Sequence, residues 1–182
     1  SWLEQVQKIL LSIFQNPESR FTSQSDELYL DLVSFGTGGM FVSDTAGSPI
    51  MFSARPLMEL YVAEDISGRI DTVFRRFKMT SRQAVSIWGK DAPEDAKKNV
   101  EGMRGEAKVP VLHAVFPTDD PMPVPLTKYP MPWCSVFVSE SDKKVMGRKS
   151  GYHEMPYLIA RWRVDGGEVY GRGPGDDALA DQ

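Results

Sequence analysis

The densest concentration of chemically capable side chains lies between residues 69 and 82, where Arg69, Arg75, Arg76, Lys78 and Arg82 are interleaved with Phe74 and Phe77. Cations that meet phosphates, beside rings that stack on bases, are the materials of a nucleic-acid platform. The same residues on a two-faced strand would serve a subunit interface equally well, so both readings attach to these five positions. The charge of the whole chain favours the interface. Over 182 residues, 25 Asp and Glu outnumber 21 Lys and Arg, a formal net charge of −4, whereas a general polyanion binder carries a cationic excess. Gly171-Arg172-Gly173 has the form of a minimal Arg-Gly segment, but a single copy reads as a turn.

Other candidates for chemistry are sparse. His113 and His153 are far apart, and His153-Glu154-Met155 lacks the second histidine, one helical turn on, of a zinc peptidase helix. His113, between Leu112 and Ala114, reads as a hydrogen-bonded structural histidine on a strand. Cys134 beside Trp133 reads as a small buried hydrophobe, since nothing near it in sequence activates a thiol; one cysteine also excludes an internal disulfide. There is no Gly-x-Ser-x-Gly elbow. Gly36-Thr37-Gly38-Gly39 follows a helical pattern and precedes a strand pattern, the reverse of a phosphate-binding loop, and is expected to be a helix stop and turn. Glu64-Asp65 and Asp119-Asp120 sit at turn signals and read as solvated loops. The expectation is a chain with no catalytic set, no metal site and no cofactor.

The elements that must carry these residues follow from periodicity. Trp2, Val6, Ile9 and Ile13 form one stripe flanked by Leu3, Leu10 and Phe14, an amphipathic helix that Pro17 terminates. The stretch is too short and too polar to be a membrane span or signal core, and no membrane partner is expected. A second helix, with Ser23 or Ser25 as its cap, carries Leu28, Leu32 and Phe35 and stops at Gly36. The two are expected to pack through Val6, Ile9, Ile13, Leu28 and Leu32. From Met40 the period changes to that of strands: 40–44, 49–54, 57–63 and 69–79, turning at Ala46-Gly47-Ser48 and Ser67-Gly68 as two hairpins. Thr80-x-x-Gln83 is a capping box opening a short helix closed by Gly89, and Pro93 opens another, with Glu94 and Lys98 one turn apart. Residues 108–116 read as a strand, and 117–132, with six prolines, as a loop. Strands at 133–139, 144–149 and 157–164 precede the glycine-rich 166–175. Helices first and antiparallel strands after, with no βαβ alternation, predict an α+β fold without a parallel doubly wound sheet. The organisation expected is a helical segment at 1–36, a β-rich region at 37–175 with short helices near 80–104, and the start of a following helix at 176–182. With no initiator Met and a helix start running out at Gln182, the chain reads as a fragment of something longer.

Several short motifs, in order along the chain, resemble the portal, or head-to-tail connecting, proteins of short-tailed phages. They are Asp31-Leu-Val-Ser-Phe-Gly-Thr-Gly38 leading to Met40-Phe41-Val42; 68–80 with Gln83-Ala84; His113-Ala-Val-Phe-Pro117; and Met155-Pro-Tyr157 through Arg161-Trp162 to 167–174. The resemblance covers nearly the whole chain. It implies a structural part of a dodecameric ring around a channel for double-stranded DNA, self-associated in the full-length protein, contacting terminase, capsid or scaffold and tail proteins, and located at the head-tail vertex of the virion, with assembly in the host cytoplasm. The chain would be the wing region, and the channel-lining stem and clip would follow it. Thr118-Asp119 departs from the basic residue that the family often carries there. Without the stem, the fragment is expected to be a monomer or weak oligomer and to bind duplex DNA negligibly at physiological salt.

Overall fold

A computed structural model describes residues 1–45, 48–122 and 131–180. Among them are five α-helices and eight strands, α1–α5 and β1–β8 along the chain, and every strand pairing is antiparallel. The fold is α+β, as the periodicity indicates. Two compact units divide it: Ser1–Met58 with Pro156–Gln182, and Glu59–Met155.

In the first unit, α1 (Trp2–Gln15) ends before Pro17, and a 3-10 turn at Pro17–Ser19 leads into α2 (Phe21–Phe35). Neither expected serine caps α2. Asn16 Oδ1 accepts the Glu18 amide at 3.0 Å, Arg20 takes a left-handed φ of 57°, and the helix is under way before Ser23, whose hydroxyl donates to the Arg20 carbonyl. A turn already satisfied by Asn16 and Ser19 lets the helix begin at once. The three-stranded sheet has the order β2 (Ser48–Arg55), β1 (Thr37–Thr45), β8 (Tyr157–Arg161). Residues 46 and 47 of the expected β1–β2 turn lie outside the described residues. Gln24 of α2 accepts the Ala54 amide of the edge strand β2 at 2.7 Å. Phe14, Phe21 and Phe52 meet at centroid distances of 4.6 to 5.9 Å and seat the end of α1. Of the residues expected to pack the two helices, Leu28 is buried and Val6, Ile13 and Leu32 are partly buried, but Ile9 is 59% exposed. Helix α5 (Pro174–Ala180) closes the unit beside α2.

The second unit is a five-stranded meander, β3 (Leu60–Glu64), β4 (Ile70–Thr80), β5 (Lys108–Met122), β6 (Met131–Ser139) and β7 (Lys144–Tyr152), with α3 (Ser81–Trp88) and α4 (Glu94–Glu101) inserted between β4 and β5. The capping box is present: Thr80 Oγ1 accepts the Gln83 amide and Gln83 Oε1 accepts the Thr80 amide. Ala84, Ala96 and Val109 are buried with Met79, Val85 and Trp88 around them, and Ala114, Cys134 and Val136 form a second cluster. Asp142, in the β6–β7 turn, accepts the Glu94 amide at 3.0 Å and so satisfies the start of α4. Glu94 pairs with Lys97 rather than Lys98. The proline-rich loop expected at 117–132 is shorter than the composition implies. β5 runs on through Pro117 to Met122 and β6 starts at Met131, while 123–130 lie outside the described residues. The reason is positional. β4 pairs with β5 only as far as Val115, so beyond it β5 has a partner on one side alone, and an edge accepts residues that cannot donate.

Candidate functional site

The basic stretch does not assemble into one surface. Along β4 successive side chains alternate between the two faces of the sheet, which separates Arg75 from Arg76. Arg75 is 14% exposed; its guanidinium is 2.8 Å from Glu59 and lies over the Phe77 ring at 4.1 Å. Arg76 forms a bidentate pair with Glu140 at 2.7 and 2.9 Å. Arg82 is on α3 and faces Glu106 at 3.1 Å. Arg69 sits in the β3–β4 turn, where Asp65 Oδ1 accepts the amides of Ser67 and Arg69. Lys78 is exposed. Phe74, Arg76 and Lys78 share the exposed face of β4, and among the described residues only Arg69 and Lys78 of the five have no carboxylate partner. Three carboxylates brought in by tertiary structure already occupy the other cations.

His113 is buried, bonded through Nε2 to Ser135 Oγ at 2.9 Å and stacked on Phe137 with ring centroids 4.1 Å apart. Cys134 is buried in the second cluster. His153 is exposed. No group of three or more His, Cys, Asp or Glu among the described residues could hold a metal ion. Nor is any helix there long and apolar enough to cross a membrane.

The convergent feature is elsewhere, where the segment 36–38 meets the segment 171–175. Gly36 ends α2 with φ 69°, and its carbonyl accepts the Trp162 amide at 2.8 Å. Thr37, 1% exposed, accepts the Gly171 amide on Oγ1 at 2.7 Å. A Cβ at Gly36 would lie 2.3 Å from the Arg172 backbone, one at Gly173 2.7 Å from the Gly36 nitrogen, and one at Gly175 2.5 Å from the Ser34 carbonyl. The two backbones therefore touch, and only glycine permits it. Beyond the contact, Gly173 donates to the Asp176 carboxylate at 2.9 Å and α5 begins. Around it, Arg172 pairs with Glu168, and Arg163 with Asp177 at 3.3 Å. The Glu168 carboxyl, hydrogen-bonded to Arg172, is held below the usual carboxylate range. The clasp joins the end of α2 to the start of α5 within the first unit. The sequence marks both glycine clusters, the first as a helix stop and turn and Gly171-Arg172-Gly173 as a turn, but not their contact. Two clusters 134 residues apart give no local signal of pairing.

These clasped segments are two of the motif groups that carried the resemblance, and the comparisons accord with it. The model of the family described as bacteriophage head to tail connecting protein matches residues 1–182. The chain belongs to that family. It is 31% identical over 184 residues to the probable portal protein of Bordetella phage BPP-1, across 100% of this chain and 33% of that protein. It is 33% identical over 171 residues to the portal protein of Salmonella phage epsilon15, across 93% of this chain and 30% of that protein. The chain thus spans about a third of the length of these curated relatives. The clasp itself consists of close backbone contact with ion pairs around it.

Proposed function

We propose that this chain is a structural segment of a phage portal subunit, the ring at the head-tail vertex through which double-stranded DNA passes. In this reading it forms the wing, has no catalytic role, and hands the chain on at α5 towards a stem; terminase, capsid or scaffold and tail proteins are the partners of the complete ring. The observation that carries the reading is the family match across all 182 residues. The clasp supports it, because a wing that transmits position to a following helix needs a rigid exit, and close backbone contact supplies one. The pairing of Arg75, Arg76 and Arg82 with carboxylates supports a passive wing over a nucleic-acid module. Each free cation placed against a phosphate would add salt-dependent affinity that a translocating genome would have to break.

The test is to purify the full-length protein, image it by electron microscopy, and label mature particles with an antibody raised against residues 1–182. Rings with a central channel, and label confined to one vertex of the head, are expected. Compact non-annular particles, or label spread over the shell, would overturn the reading.

A further inference from the structure

Strands β2 and β8 flank β1 on either side, and because each runs antiparallel to it they run parallel to one another. Arg55 and Ile159 both stand opposite Gly39, so the two strands are about 10 Å apart, twice the spacing of neighbours. Parallel strands cannot be joined by a tight turn; they need a crossover of a dozen or more residues. Here that connection is the whole second unit, Glu59–Met155. The buried hydrophobics are divided unequally. Val73, Val111, Val115 and Met146, none more than 2% exposed, belong to the second unit together with the two clusters described above. Among the described residues the first unit buries only Leu28, Met40 and Tyr157, and Tyr157 lies in β8, beyond the crossover.

We propose that residues 59–155 are an independently folding module, and that its folding closes the crossover on which the first unit depends. The second unit is continuous in sequence and about 100 residues long, the size of an ordinary domain. Its described strands pair only with their neighbours along the chain, and none is shared with the other sheet. The first unit is discontinuous. Its strand β8, the clasp residues 171–175 and α5 all follow the insert and must be brought back to β1 and α2 before that unit is complete.

Chain length sets the size of the effect. As a flexible coil, ~100 residues hold their ends roughly 55 Å apart. In the folded insert the first and last strands, β3 and β7, are the two outer strands of the sheet, four spacings or about 19 Å apart. The register puts Tyr152 about 14 Å further along the sheet than Leu60, because Leu60 is level with Met146 and Phe137, and Tyr152 with Trp133. The resulting separation, roughly 24 Å, is that of a flexible linker of about 20 residues. The entropic cost of closing a loop rises with the three-halves power of its length, so a fivefold shorter effective loop favours β1–β8 pairing about tenfold.

The test has two arms. In the first, sites for a sequence-specific protease are placed between Met58 and Glu59 and between Met155 and Pro156 of the intact chain. The released 59–155 module should melt cooperatively and keep a dispersed amide spectrum; a disordered or aggregated product would overturn its independence. In the second, Gly-Ser linkers of about 20, 50 and 100 residues replace 59–155, a range over which closure changes measurably. Hydrogen exchange is followed at the Gly171 amide, which donates to Thr37 Oγ1 at 2.7 Å and so joins the two halves of the first unit. Protection should fall about tenfold from the shortest linker to the longest, and the intact chain should match the shortest. Protection that ignores linker length, or that is lost with every linker, would overturn the crossover role. So would an intact chain that matches the longest linker, or one protected far beyond the shortest, which would place the coupling in contacts and not in chain length.

Discussion

Four glycines separate two physical effects at the clasp. Gly36 combines a left-handed φ of 69° with a Cβ position 2.3 Å from backbone; Gly173 meets backbone at 2.7 Å without the left-handed φ; Gly68 has φ 75° and open space; Gly166 has open space alone. For Gly36→Ala the left-handed conformation costs roughly 1–2 kcal/mol. Forcing a methyl against backbone that has no rotamer to yield costs about 1–3 kcal/mol more. The total, roughly 2–5 kcal/mol, is a large part of a typical domain stability of about 5–15 kcal/mol. At about 2–4 °C per kcal/mol for a chain of this size, melting should fall by roughly 4–20 °C. Gly68→Ala should show the conformational part alone, Gly173→Ala the steric part alone, and Gly166→Ala neither. Urea denaturation followed by circular dichroism measures the series, and hydrogen exchange at the Gly171 amide, bonded to Thr37, gives a local readout. If Gly36→Ala is no more damaging than Gly68→Ala, the close backbone contact is wrong and the clasp falls with it.

Other outcomes follow from the same geometry. Asp31 has its carboxyl pushed above the usual range by burial and by Glu27. A raised acid favours the native state while protonated and loses that contribution as pH rises through its folded value, so Asp31→Asn should raise the melting temperature at neutral pH and have no effect well below the carboxylate range. Thr80→Ala removes the hydroxyl that accepts the Gln83 amide and should cost about 1 kcal/mol in urea denaturation. Arg75→Ala leaves Glu59 largely buried without its partner and should cost roughly 1–3 kcal/mol. Arg82→Ala, in a pair more than 70% exposed on both sides, should change stability by less than about 0.5 kcal/mol. Fluorescence anisotropy should detect no appreciable duplex DNA binding by this chain at physiological salt; sub-micromolar, steeply salt-dependent binding abolished by Arg75→Ala with Arg76→Ala would restore the nucleic-acid platform.

Local order was legible in the sequence because its causes are local. The stripe of α1 and its end before Pro17, the stop of α2 at Gly36, the box at Thr80 and Gln83, and the alternation of β4 each depend on residues within a turn or two of one another. Together they determine the α+β class. The burial of His113 and Cys134 was also readable, since each sits among strand-forming apolar neighbours. Longer order was not. Whether Arg76 is a free cation depends on Glu140, 64 positions away, and whether Pro117 interrupts β5 depends on where β4 stops pairing. Ile9 has the pattern of a core residue, but periodicity reports which face of a helix is apolar, not whether anything covers it. The clasp is the clearest case. The glycines at 36 and 173 advertise freedom of the backbone, but their purpose, allowing two chain segments to touch without side chains between them, exists only once the fold has brought those segments together.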